Sequence, residues 1–167
     1  MTQPTIPHRS GPRPRTTAWA PHIQQDQQGS PEMLAALAAR VYALPDVEDR
    51  PTILSAEGAR AIWLRDRVKA GPSNAFLGGY GMTPTREIGH FHPWDGSLHI
   101  ALPPAVAQEA VAAGWAEVHP VAQAGMAPTN IVMLYGPRDE SEVNVLFELI
   151  LAAYRYAGGR DPVRVAA

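Results

Sequence analysis

The stretch from Glu87 to Leu102, EIGHFHPWDGSLHIAL, restricts the fold more than any other part of the chain. Two runs of alternating polarity flank Pro93-Trp94-Asp95-Gly96, and a short gap ending in Asp-Gly between such runs marks a β-hairpin. Counting outward from the turn pairs His92 with Ser97, Phe91 with Leu98, His90 with His99, Gly89 with Ile100 and Ile88 with Ala101. Successive side chains on a strand point to opposite faces, so Phe91, Leu98, Ile100 and Leu102 collect on one face. The other face collects His90, His92, Ser97 and His99. Directly opposed residues hold their Cβ atoms about 4.5–5.5 Å apart. Half of the six histidines therefore meet on one small patch.

The rest of the composition narrows the setting for that patch. A chain of 167 residues suits one domain that needs no covalent staples. The absence of cysteine excludes disulfides, thiolate metal sites and cysteine nucleophiles, and makes a reducing, cytoplasmic location the expectation. A net charge of −2 argues against a nucleic-acid or anionic-membrane partner, both of which select a basic field. No run of 18 apolar residues is present, and the start does not read as a secretory signal. Charged residues make up 18%, below the roughly 25% usual for soluble domains, which leaves apolar surface for a ligand cleft or a homodimer.

Along the chain, residues 1–29 hold five of the 17 prolines, three arginines and the cluster Gln24-Gln25-Asp26-Gln27-Gln28. Composition predicts a mobile tail there, because little apolar area offsets the ordering entropy. His8 and His22 fall inside it and outside the expected site. An ordered domain is expected over 30–158, followed by a short tail at 159–167. Ser30-Pro31 opens a helix whose stripe is Leu34, Leu37, Ala38, Val41 and Leu44, and Pro45 ends it. Residues 51–58 read as a connector and 59–65 as a strand. The glycine-rich segment 71–81 reads as a short strand, Ala75 to Leu77, and a turn that could serve as a lid. After the hairpin, Pro103-Pro104 opens a helix capped by Gly114, Ala116 to His119 is extended and closed by Pro120, and Asn130 to Tyr135 is a buried strand. Asp139 with Glu142 caps a last helix to about Ala157. These elements predict an α+β domain, a mainly antiparallel sheet with helices on one face.

Glu87-Ile88-Gly89-His90-Phe91-His92-Pro93, Asp95-Gly96-Ser97-Leu98-His99, Pro103-Pro104, the run from Ala113 to Pro120, and Tyr135-Gly136-Pro137-Arg138-Asp139 come in an order that resembles the luciferase-like domain family. The resemblance spans about Ala59 to Ala157. Its best-known members are fungal luciferases that oxidise hydroxyhispidin, and it also contains many small bacterial proteins. The resemblance implies addition of dioxygen to an electron-rich 2-pyrone and loss of carbon dioxide from an endoperoxide, without an organic cofactor. Light emission does not follow from it. The chain departs from the fungal members in showing no hydrophobic N-terminal membrane segment, so their membrane association is not expected here.

Three roles are open to His90, His92 and His99. As general bases they could take a proton from an enol, leaving a carbanion that reduces dioxygen with the substrate's own electrons. As ligands they could hold iron, zinc or copper with open positions. They could also be structural. A metal ion is the less favoured reading, because His92 sits diagonally beside Pro93 and alternation places Glu87 on the opposite face. A hydrolase, cyclase or decarboxylase on the same patch, or a non-catalytic binder, are the alternatives to an oxygenase. His119 is expected near the patch if its segment joins the sheet. Trp94 at the turn is a stacking surface for an aromatic substrate, with Asp95, Ser97 and Arg138 as further substrate-binding candidates.

Overall fold

The computed structural model describes residues 5–52, 54–65 and 86–160. The first helix, α1, runs Pro31–Tyr42 with the Ser30 hydroxyl accepting from the Met33 amide, as the Ser-Pro signal predicts. It is followed by strands β1 (Val47–Pro51), β2 (Arg60–Leu64), β3 (Glu87–Phe91) and β4 (Leu98–Ala101). Helix α2 (Pro104–Ala112), strand β5 (Ala116–Val118), helix α3 (Pro120–Gln123), strand β6 (Ile131–Leu134) and helix α4 (Glu140–Tyr156) complete the order. The six strands form one sheet in the order β1-β2-β3-β4-β6-β5, with every pair antiparallel. The fold is α+β, as expected.

One sheet face is the core. Ile62, Ile88, Phe91, Leu98, Ile100, Val132 and Leu134 pack there against Leu37 and Val41 of α1, Ala107 and Ala110 of α2, and Leu146 and Ile150 of α4. Full burial of a side chain such as Leu146 or Ile150 is worth about 1.5–3 kcal/mol each, so this layer holds the helices on the sheet. The opposite face carries a row set by strand register: Ala61 beside His90, His90 beside His99, His99 beside Met133, and Met133 beside Glu117. That row underlies the site.

The hairpin register follows the count from its turn: Gly89 faces Ile100, His90 faces His99 and Phe91 faces Leu98. The His92 amide donates to the Ser97 carbonyl at 2.8 Å. Two elements were not anticipated. Strand β1, Val-Glu-Asp-Arg-Pro, lies at the sheet edge, where charge and proline are tolerated, so it lacks an apolar signature. Pro120, read as a stop, instead occupies the first position of α3, with His119 as its N-cap. The glycine-rich segment 71–81 lies outside the described residues.

Residues 5–29, read from composition as a mobile tail, lie across the domain as a strap. Their attachment is polar rather than apolar, which composition does not register. The Arg9 guanidinium donates to the Gly136 carbonyl and to Glu142 at 3.1 Å, between the rings of Trp115 and Tyr135. Trp115 Nε1 donates to the Pro7 carbonyl. Gln24, fully buried, receives the Gly136 amide on its side chain and gives its own amide to Asp95. The strap also meets the hairpin turn through glycine contacts. A Cβ on Gly136 would stand 2.7 Å from the Gly29 nitrogen, and one on Gly96 2.9 Å from the Gly29 Cα. No side chain fits between these backbones.

Candidate active site

His90 on β3, His99 on β4 and His92 at the turn converge, as the hairpin count predicts, and His119 joins them because its segment enters the sheet as β5. A fifth ring joins them. His22, carried by the strap, stacks on His99 with centroids 5.2 Å apart. Sequence reasoning set His22 aside because nothing local marks it, and its partners lie 77 and 95 residues away. Ring centroids of His92 and His99 are 4.5 Å apart, and those of His99 and His119 4.4 Å. The rings floor a cavity of about 640 Å³ walled by Leu54, Ala56, Val121, Ile131 and the strap residues Ala20 and Pro21. Trp94, 38% exposed, lines its rim and stacks on His92 at 5.1 Å.

The remaining candidates divide. Asp95 and Ser97 stand behind His92 rather than in the cavity. The Ser97 hydroxyl lies 2.7 Å from Asp95 Oδ1 and 2.8 Å from His92 Nδ1. Asp95 can only accept when ionised, so the hydroxyl donates to it and accepts from His92 Nδ1–H. That leaves His92 Nε2 as a lone pair, buried and without a hydrogen-bond partner among the described residues. Arg138 does not reach the cavity. Its guanidinium is spent on Glu142, Gln27 and Ser10, where it secures the strap.

Glu87 corrects the expectation from alternation. Ile62 pairs with Gly89 but Trp63 pairs with Glu87, so Ile88 is an extra residue in β3. The bulge turns Glu87 onto the histidine face, where its Oε1 accepts from His90 Nδ1 at 2.6 Å. A continuous chain results. His90 Nε2 faces His99 Nδ1 at 3.2 Å, His99 Nε2 faces His22 Nδ1 at 3.0 Å, and His22 Nε2 meets Glu117 Oε1 at 2.5 Å. Four links join three imidazoles to two carboxylates, and three neutral imidazoles carry only three protons. With both carboxylates ionised, one nitrogen pair therefore meets lone pair to lone pair unless one further positive charge sits there.

Burial works against that charge being a proton held on His99. It lowers the pKa of His92 to about 2, with the neighbouring rings His90, His22 and His119 adding to the effect. Burial also places His99 well below its ordinary value and His119 at about 4. His119 Nδ1 accepts from the Val121 amide, so the neutral ring presents Nε2–H as a donor.

The family model described as Luciferase domain matches residues 85–153, the segment holding the hairpin, His119 and α4. Proteins named luciferase from Armillaria ostoyae and Armillaria gallica are each 34% identical, over 92% and 97% of this chain. The luciferase of Neonothopanus nambi is 31% identical over 90% of it. Over residues 85–153 the chain is luciferase-like. It spans 61%, 64% and 60% of the length of these three relatives. No solved structure matches. In this luciferase-like chain the matched segment supplies four of the five converging histidines, and the strap supplies the fifth. No described helix is long and apolar enough to cross a membrane.

Proposed function

We propose that this luciferase-like protein is an oxygenase for a small enolisable aromatic molecule of the 2-pyrone type, with a histidine as general base and no organic cofactor. The observation that supports this most directly is the buried His92 Nε2, without a hydrogen-bond partner among the described residues, in the lining of a cavity of mostly apolar wall. A substrate ring lies against Trp94. His92 Nε2, kept as a lone pair by the Ser97–Asp95 pair behind the ring, takes the enol proton. Once His92 is positive, Asp95 stabilises it through Ser97, as a buried carboxylate supports an imidazolium in hydrolytic triads. The depressed basicity of His92 comes from burial and from the neighbouring rings. An enolate bound alongside offsets the cost of the charge, so the proton moves only when substrate is present.

His119 Nε2–H donates to the oxygen on which the negative charge settles. The carbanion form of the substrate then gives an electron pair to dioxygen. A carbon–oxygen bond forms, dioxygen is reduced to the peroxide level, and the substrate's proton rests on the histidine patch. No outside reductant enters this step. An oxygen electrode with a panel of hydroxylated 2-pyrones tests the reading. Uptake is expected with at least one of them, slowed about 10²–10⁴-fold in His92→Ala. Absence of uptake across the panel, or full uptake by His92→Ala, would overturn it.

A further inference from the structure

We infer that His90, His92 and His99 form a binding site for one divalent first-row transition-metal ion. The inference rests on the cavity being the reaction site, and not on dioxygen being the substrate. One ring nitrogen from each of the three lies within 4.8 Å of the others. The hydrogen bonds select which. With His90 Nδ1 on Glu87, His92 Nδ1 on Ser97 and His99 Nε2 directed at His22, the converging atoms are His90 Nε2, His92 Nε2 and His99 Nδ1. In that tautomer set all three are lone pairs and every outer nitrogen is a donor. His22 then accepts from His99 and donates to Glu117, so no extra proton is required anywhere.

The 3.2 Å between His90 Nε2 and His99 Nδ1 is close to the edge of a coordination polyhedron. Two ligands each about 2.1 Å from a tetrahedral ion stand roughly 3.4 Å apart. Behind each ring stands a carboxylate: Glu87 on His90, Asp95 through Ser97 on His92, and Glu117 through His22 on His99. Such outer partners fix the tautomer and raise ligand basicity. No lysine or arginine is among the described residues lining the cavity. Three neutral imidazoles exclude calcium and magnesium, which demand oxygen, and leave positions on the cavity side for a ligand. The second convergent group, His22, His99 and His119, is the weaker site, because His119 presents a proton and not a lone pair.

The test uses tag-free, chelator-treated full-length protein titrated with Co2+ by visible absorption and with Zn2+ by calorimetry. One ion per chain is expected. His92→Ala should weaken binding at least about 100-fold, Glu87→Gln about 10–100-fold, and His119→Ala less than about threefold. His90→Ala gives the same reading as His92→Ala should the latter not fold. No stoichiometric binding, or binding retained in both alanine variants, overturns the inference. Oxygen uptake is followed in parallel. Uptake by stripped protein that Zn2+ suppresses upholds both the ion site and the base. Uptake without ion binding removes the ion site and leaves the base. Ion binding with uptake only in loaded protein keeps the ion site and removes the base.

Discussion

Asp95 and Glu87 act on the cavity without lining it, and both would be missed by a search for exposed polar groups. Asp95 is 1% exposed, accepts the Gln24 and Ser97 amides and the Ser97 hydroxyl, and so shapes the turn while polarising His92. Ser97→Ala removes the intermediary. Oxygen uptake is expected to fall about 10–100-fold, with loss of about 1 kcal/mol of stability in urea unfolding from one net hydrogen bond. A fall in stability without any fall in uptake would show that the hydroxyl serves the turn alone. The histidine patch itself was legible in the sequence, because a strand's period of two and a four-residue turn dictate which rings face each other. Glu87 was not, since one extra residue in β3 reverses its side, and a bulge has no signature in Glu-Ile-Gly-His. Arg138 was misplaced for a related reason. Its position after β6 was correct, but whether a turn arginine faces a ligand or a neighbouring carboxylate depends on a residue 128 positions earlier, Ser10, and on Glu142.

At the level of elements, the strap shows where pattern reading ends. Helices α1, α2 and α4 and the hairpin β3–β4 announce themselves through apolar period and caps, whereas the strap is held by Arg9, Arg13, Thr16, His22 and Gln24 to partners far along the chain. Arg9 is the charged anchor buried in the domain, its side chain 2% exposed against Glu142. Burial lowers its pKa, and the hydrogen bond and charge of Glu142 resist that shift. Arg9→Met leaves Glu142 to Arg138 alone and is expected to cost about 3 kcal/mol in urea unfolding. Limited proteolysis should then cut within 10–20 before the rest of the chain. Equal resistance of the variant and the parent would show that the strap does not depend on Arg9. Gly136→Ala probes the same attachment from the other side. Its Cβ would meet Gly29 nitrogen at 2.7 Å and the Asp95 carbonyl at 2.9 Å, so about 1–3 kcal/mol of destabilisation is expected, with faster cleavage of the strap. A neutral effect on both measurements would mean that the backbones part easily.

For the molecule as a whole, the buried histidines set the response to acid. His92, His99 and His119 are all held below their ordinary value of 6.5, so the unfolded chain binds protons that the folded chain refuses. Their contribution is fully present above pH 6.5 and declines as pH falls toward the folded values of about 4 for His119 and about 2 for His92. Each histidine adds a slope of up to about 1.4 kcal/mol per pH unit in that window. Glu142 acts in the same direction at lower pH. Burial raises its pKa, but hydrogen bonds from the Arg138 side chain and backbone and from Arg9 bring it below 4.5, so its stabilisation is lost as pH falls through that depressed value. Urea midpoints of chelator-treated protein should therefore drop steadily from pH 6.5 to 4.5, and a flat profile there would count against neutral, buried rings. The strap also bears on biosynthesis. His22 leaves the ribosome 77 residues before His99 and 95 before Glu117, and Arg9 emerges 133 before Glu142. At about 5–20 residues per second the segment waits several seconds or longer for its partners. A greasy segment left waiting would recruit neighbouring nascent chains, whereas one of proline, glutamine and arginine stays hydrated until its docking surface exists.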